Sequence, residues 1–196
     1  MRAPLLTSAR LRLRAIEPED AMLMFRHEND TTQWDSSATL QPISRSSIRQ
    51  FISASTGDIY TDGQLRLVVE AIDNKINTSQ EQTDANLGDA ALYHPIGFVD
   101  LTDFSARHLR AEVGIAILPQ FQNMGFGQEA LSLLEQYARD MLFIHQLYAY
   151  VSENNAGGKH LFIKSGYLHT GTLKDWLRTG DVHVSVDFFQ KILVKT

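Results

Sequence analysis

The chain has 196 residues, of which 43% are hydrophobic and 21% charged, the profile of a soluble globular domain long enough for one substantial core. Its formal net charge of −5 speaks against general nucleic-acid binding and mildly favours a cationic partner such as an amine. The absence of cysteine excludes disulfides, a thiol nucleophile and thiolate metal sites, and no apolar run reaches the length of a membrane span.

The first residues, MRAPLLTSARLRLRA, lack the apolar centre of a secretory signal, so a cytoplasmic location is expected. Leu11 and Leu13 alternate with Arg10, Arg12 and Arg14, which predicts a first strand with one wet face. Glu17-Pro18-Glu19-Asp20 is a helix start, because proline and acids suit a first turn; the helix continues through Met22, Met24 and Phe25 to about His27. Asn29 to Gln41 is polar apart from Trp34. A second helix fits Ser44 to Ser55, with Ile48, Phe51 and Ile52 on one face and Ser44 or Ser46 as cap. Gln64 to Ile72 is a strand. Composition then changes: Asp73 to Asp89 is rich in Asn, Gln, Thr, Asp and Ser and reads as a long polar insertion. Tyr93 to Thr102 is the next strand, and Asp103 to Arg110 a turn.

Ala111 to Leu142 then supplies a strand, a glycine loop and an amphipathic helix in sequence. Val113, Ile115 and Ile117 mark the strand, and Pro119 ends it for want of an N–H. Gln122-Asn123-Met124-Gly125-Phe126-Gly127-Gln128 follows. Ala130, Leu134, Tyr137, Ala138 and Met141 give the helix an apolar stripe, with Glu135, Arg139 and Asp140 off it. Such a loop brings backbone N–H groups and the positive end of a helix dipole to one point, where a pyrophosphate fits; the same residues also suit an ordinary strand-to-helix turn. A Rossmann fingerprint lacks its third glycine here, and a P-loop lacks its Gly-Lys-Ser/Thr end. Gln146 to Ser152 is a further strand, Glu153 to Gly158 a turn, Lys159 to Ser165 a short helix closed by Gly166, and Val182 to Leu193 a last strand. Lys174 to Gly180, with Trp176 and Arg178, fits either a turn or a strand, expected near the acceptor. No internal repeat or linker interrupts the chain, so residues 1–196 are expected to form a single domain.

Gln122, Gly125 and Gly127 match in register the Gln/Arg-x-x-Gly-x-Gly/Ala loop of the GNAT N-acetyltransferase superfamily, which this stretch resembles. A second block agrees: Asn155, then Leu161-Phe162-Ile163-Lys164-Ser165-Gly166-Tyr167, is similar to the family's Asn followed by Leu-Tyr-x-Lys-x-Gly-Phe. The long C-terminal part resembles the ribosomal-protein N-terminal and polyamine acetyltransferase branches. The resemblance implies an α/β (α+β) fold with a mixed, mostly antiparallel central sheet, helices on both faces, and a splayed strand pair that receives the cofactor. It implies acetyl-CoA as co-substrate and no metal. Backbone N–H groups of Ile115, Ala116 and Ile117 would pair with the pantetheine as a strand does; those of Asn123, Met124, Gly125, Phe126, Gly127 and Gln128 would hold the pyrophosphate, with Gln122 in the same motif; the Asn155 side chain would hold the pantetheine arm. The loop between the first two helices borders the acceptor in this family, which makes Trp34 and Asp35 candidate acceptor contacts, although Trp34 equally fits as a plug at the core edge.

The reaction so implied is acetyl transfer to an amine. A base must deprotonate the ammonium, and a pre-placed N–H must meet the charge on the thioester oxygen. The resemblance suggests Ile117 N–H as that donor. Glu112 is the candidate base, directly or through a water; its alternative is a strand-end surface charge paired with Arg110 or another cation. His108, His145, His160 and His169 are other candidates, without metal-ligand spacing. The sequence departs from the family where the usual acidic tyrosine stands: Phe162 cannot donate a proton, and Gly158 replaces the serine some branches use. A thiolate whose free pKa is about 8.5 can take its proton from water. Expected partners are therefore a small amine, a polyamine or a peptide N-terminus, with no nucleic acid and no membrane, as monomer or homodimer. Asp35, Asp100 and Asp103 are further sources of negative charge. A non-catalytic acyl-CoA-binding module is the other class these residues allow.

Overall fold

The computed structural model describes residues 6–31, 41–72 and 93–194. Trp34, Asp35 and the insertion at 73–89 lie outside them. Seven strands form one sheet in the order β1-β2-β3-β4-β5-β7-β6. Strand β1 (Leu11–Ala15) pairs antiparallel with β2 (Leu65–Ile72), β2 with β3 (Tyr93–Ser105), and β3 with β4 (Arg110–Ile117). β5 (Gln146–Ser152) is parallel to β4, antiparallel to β7 (Val182–Ile192), and β7 is antiparallel to the edge strand β6 (Leu168–Thr179). The sheet is thus mixed and mostly antiparallel, as expected.

Alternation along the strands decides which helices cover which face. Leu11, Leu13, Val99, Leu101, Val113, Leu147, Ala149 and Val151 turn to one side and bury against Ala130, Leu131, Leu134 and Ala138 of α4 (Phe126–Asp140) and Phe162 of α5 (Ala156–Lys164). Val68 and Phe98 turn to the other and pack with Met24 of α1 (Ala21–Glu28) and Ile48 and Ile52 of α2 (Arg45–Ala54). Ser44 caps α2 through the Ser47 N–H at 3.0 Å. A single helical turn, α3 (Ile59–Asp62), precedes β2.

Several local expectations change. Tertiary pairing extends β3 through a bulge to Ser105, with Asp103 at φ 45°, so the connection to β4 is shorter than residues 103–110. Helix α5 starts at Ala156 rather than Lys159, because the Asn155 side chain accepts the Gly158 N–H at 2.8 Å and converts a glycine-rich turn into a capped first turn. Lys174 to Thr179 belongs to β6. Met141 stands 56% exposed beyond the end of α4, whereas Glu135, assigned by pattern to the wet side, is buried beneath it. Lys191 from β7 reaches Glu135, which explains the inversion: a paired charge can be buried where a lone one cannot.

The arginine face of β1 is likewise not simply wet. Arg14 donates to Asp20 at 2.6 and 2.8 Å and to Glu70 at 2.8 Å, and Arg12 pairs with Glu70; both acids are only 4% exposed. Replacing Arg14 by Met would leave two buried carboxylates with too few partners, and a loss of about 3–5 kcal/mol in urea unfolding is expected. Burial alone would push the Asp20 carboxyl up, but Arg14 and the Glu17 N–H outweigh it and hold it below the usual range. Asp20 therefore contributes stability above the ordinary aspartate range, and that contribution is lost as pH falls through its lowered value.

Candidate active site

Strands β4 and β5 are in register only over Arg110–Glu112 and Gln146–Tyr148. From Val113 onward β4 stays with β3, while β5 follows β7 to Ser152, so the two part into a V. The Leu118 N–H donates to Ile96 C=O at 2.8 Å. Because antiparallel backbone groups alternate in direction, Leu118 and Ala116 address β3, and Ile115 and Ile117 address the opening. The Gln122 side chain confirms that direction by donating to Ile117 C=O at 2.8 Å. Of the three residues expected to offer N–H groups, Ala116 lies with its backbone in the β3 ladder, and Ile115 and Ile117 stand on the open edge.

The loop from Gln122 leads straight into α4. Asn123 at φ 60° and Gly125 at φ 84° both turn through the left-handed region. Gly125 is the N-cap and so has no side chain to offer the first turn, unlike Ser44, Asp58 and Asn155, which cap α2, α3 and α5. The opening N–H groups of a helix have no partner within it, so Phe126, Gly127 and Gln128 present a ready site for an anion at the positive dipole end. Leu161 of α5 and Ile115 of β4 lie beside Gly127, and Gln128 donates to Lys164 C=O at 3.4 Å. The two sequence blocks thus meet at one place.

The two loop glycines differ. A Cβ on Gly127 would make ordinary contacts of 3.5 Å or more with Leu161 and Ile115, so Gly127→Ala is expected to raise stability by about 0.5–1 kcal/mol through helix propensity. Gly125→Ala places a side chain at positive φ and is expected to cost about 1–2 kcal/mol; thermal unfolding of the two variants checks the contrast. Gly158 is constrained differently, since a Cβ there would come within 2.9–3.1 Å of the Asn155 side chain that caps α5.

Glu112 sits where the V opens, level with Thr102 on β3 and Tyr148 on β5. Burial raises its carboxyl above the usual range and the like charge of Asp103 adds to the rise. Among the described residues no cation pairs with it, which removes Arg110 as the explanation for its presence. The Tyr148 hydroxyl donates to Asp103. On the same sheet face follow Tyr150, 5.1 Å from Phe188, and the 57% exposed Trp176, stacked 6.2 Å from Tyr150. An acid pair next to an aromatic wall suits a cation with an apolar chain.

No motif marks Tyr148, Tyr150 and Phe188 for the site, whereas the Trp176 segment is expected near the acceptor. The two-residue spacing of tyrosines in QLYAYVS was the signal for one shared face; the others arrive through strand pairing. The candidate histidines are scattered: His108 follows β3, His145 precedes β5, His160 is exposed on α5, and His169 contacts Asp187 at 3.1 Å on β6. Phe162 is a core residue, 5.0 Å from the Tyr167 ring and 6.1 Å from that of Phe189. Among the described residues no group of His, Asp or Glu is placed to hold a metal, and no helix is long and apolar enough to cross a membrane.

A family model described as an acetyltransferase (GNAT) domain matches residues 10–168. Over 77 residues, 39% of this chain, the sequence is 32% identical to spermidine N(1)-acetyltransferase of Escherichia coli (strain K12), and over 82 residues, 42% of this chain, it is 28% identical to the N-acetyltransferase YoaA of Bacillus subtilis (strain 168). The aligned stretches span 41% and 46% of those relatives' own lengths. The fold is similar to that of spermidine N-acetyltransferase from Vibrio cholerae in complex with CoA and spermine, with a TM-score of 0.75, 21% identity, and coverage of 95% of this chain and 97% of that one. A chimera of the same Vibrio cholerae enzyme with hSSAT superposes with a TM-score of 0.74 at 22% identity, covering 94% and 96%. At these identities the structural likeness is one of fold.

Proposed function

Because the chain belongs to the GNAT acetyltransferase family, whose co-substrate is acetyl-CoA, we propose that it transfers an acetyl group from acetyl-CoA to a primary amine, with polyamines as the foremost acceptor class. The observation that carries the reading is the union of an open strand edge at Ile115 and Ile117 with an uncapped helix N-terminus at Phe126–Gln128. One is a partner for an amide chain and the other for a pyrophosphate, and CoA contains both.

In this reading the opening N–H groups of α4 hold the pyrophosphate, and Ile115 and Ile117 pair with the pantetheine. The Asn155 side chain, whose oxygen caps α5, borders that arm through its amide nitrogen. Glu112 accepts the proton of the acceptor ammonium, directly or through one water, and its raised carboxyl makes it a stronger base than an ordinary glutamate. Ile117 N–H faces the charge that develops on the thioester oxygen. Phe162 supplies no proton, so the departing thiolate is protonated by water.

The relatives named for spermidine, the net charge of −5, and the acids Glu112 and Asp103 beside an aromatic wall support a polyamine over a neutral acceptor. Asp103 and Tyr148 hold one positive end while Tyr150, Trp176 and Phe188 flank the methylenes. Trp34 and Asp35 remain proposed acceptor contacts. Phe162 is the feature that favours a non-catalytic binding module instead. Acetyl-CoA-dependent release of free thiol against polyamines, amino sugars and short peptides separates the two. Release with spermidine or spermine is expected; release only with peptides would overturn the acceptor class, and CoA binding without release across the panel would overturn catalysis.

A further inference from the structure

The residue just before the first strand, Arg10, reaches the proposed pyrophosphate loop through its side chain. Residues before β1 fold back on it: Leu13 N–H donates to Leu6 C=O and Ser8 N–H to Leu11 C=O, both at 2.8 Å. Ile72 N–H of β2 donates to Arg10 C=O at 2.8 Å, which fixes the root of the Arg10 side chain. Its guanidinium then donates from Nε to Glu129 Oε2 at 2.8 Å, from Nη2 to the same oxygen, and from Nη1 to Met124 C=O at 3.3 Å. The guanidinium carbon stands 5.0 Å over the Phe126 ring. The remaining Glu129 oxygen accepts from Ser8 Oγ at 2.5 Å.

Glu129 is the fourth residue of α4, one turn from N–H groups that lack a side-chain cap. A carboxylate there complements the helix dipole in the free protein but opposes a second anion. Arg10 changes the balance. It neutralises Glu129, holds both its oxygens on the β1 side together with Ser8, and draws the Met124 carbonyl, another negative dipole, towards β1. We infer that Arg10 is a positioning residue for acetyl-CoA: by pairing with Glu129 and Met124 C=O it keeps the α4 N-terminus electrostatically open to the pyrophosphate. The inference rests on the proposed cofactor site. Arg10 acts through Glu129 and need not touch the ligand.

The test compares two acetyl donors on the full chain: acetyl-CoA, and acetylpantetheine, which lacks the pyrophosphate. Arg10→Met is expected to raise KM for acetyl-CoA roughly tenfold with kcat unchanged, and to leave KM for acetylpantetheine as it was. The double variant Arg10→Met/Glu129→Gln should recover most of the acetyl-CoA affinity, because the unpaired carboxylate is gone, and thermal unfolding of each variant checks that it is folded. Equal losses with both donors would show a merely structural strap and overturn the inference. So would failure of Glu129→Gln to restore affinity in the double variant, which would assign Arg10 a direct phosphate contact. Absence of CoA binding by the unsubstituted protein is a separate outcome, and it would overturn the cofactor site itself.

Discussion

Glu112→Gln is expected to lower kcat by roughly 10²–10⁴-fold, the range for loss of a general base, while KM for acetyl-CoA changes little. Gln keeps the shape of the side chain and cannot accept the ammonium proton. Stability should move the other way. Burial and Asp103 raise the Glu112 carboxyl in the folded protein, so the folded state disfavours its charged form. That penalty is absent below the ordinary glutamate range and grows as pH rises through the raised value. At neutral pH the Gln variant should therefore unfold at the same temperature as the parent or higher, with the difference fading in acid. The unsubstituted enzyme should gain kcat/KM with rising pH across the window where Glu112 loses its proton, and the variant should lack that limb. A variant of near-parental kcat with the limb intact would show that the base lies elsewhere.

Gly97→Ala should damage both fold and site. Gly97 of β3 lies opposite Ile117, next to the bulge where β2 shifts register between Val69 and Glu70. A Cβ there would stand 2.1 Å from Ala116 C=O and 3.0 Å from the Ile117 Cα. The obstacle is backbone, so no rotamer relieves it, and β4 must move away from β3. Overpacking of this kind costs about 1–3 kcal/mol or more. The displaced segment carries the Ile117 N–H, so turnover should fall even at temperatures where the variant remains folded. Denaturant unfolding and steady-state kinetics on the same preparation test both halves; parental stability would mean that the strands yield more easily than their close approach indicates.

The two effects also mark what can be read in a sequence and what cannot. The loop at 122–128 was legible because its requirements are local: glycine where φ is positive, no capping side chain, and an apolar stripe starting at once. The joint occurrence of that loop with Asn155 and Leu161–Tyr167 made the fold legible through resemblance, since both blocks match the GNAT family in the same order. Pairings across the chain left no comparable mark. Glu135 and Lys191 are 56 positions apart, and Arg10 and Glu129 are 119 apart; nothing in either neighbourhood predicts that a charge assigned to the wet side will be buried or tied down. The helix replaces the expected turn at 156–158 for a related reason: Gly157 and Gly158 suggest a break, and only the Asn155 cap makes them a first turn. The orientation of Ile115 and Ile117 towards the opening follows from strand register, which alternation alone leaves undefined by one residue.

The central claim is that one ligand occupies both the open β4 edge and the α4 N-terminus. Titrating CoA into uniformly 15N-labelled protein, with amide shifts followed residue by residue, tests it most directly. The account predicts saturable shifts that are largest at Ile115, Ile117 and residues 125–128, with Ala116 moving less because its N–H is held by β3. Saturation with shifts confined to other surfaces, or no saturable change at all, would contradict it.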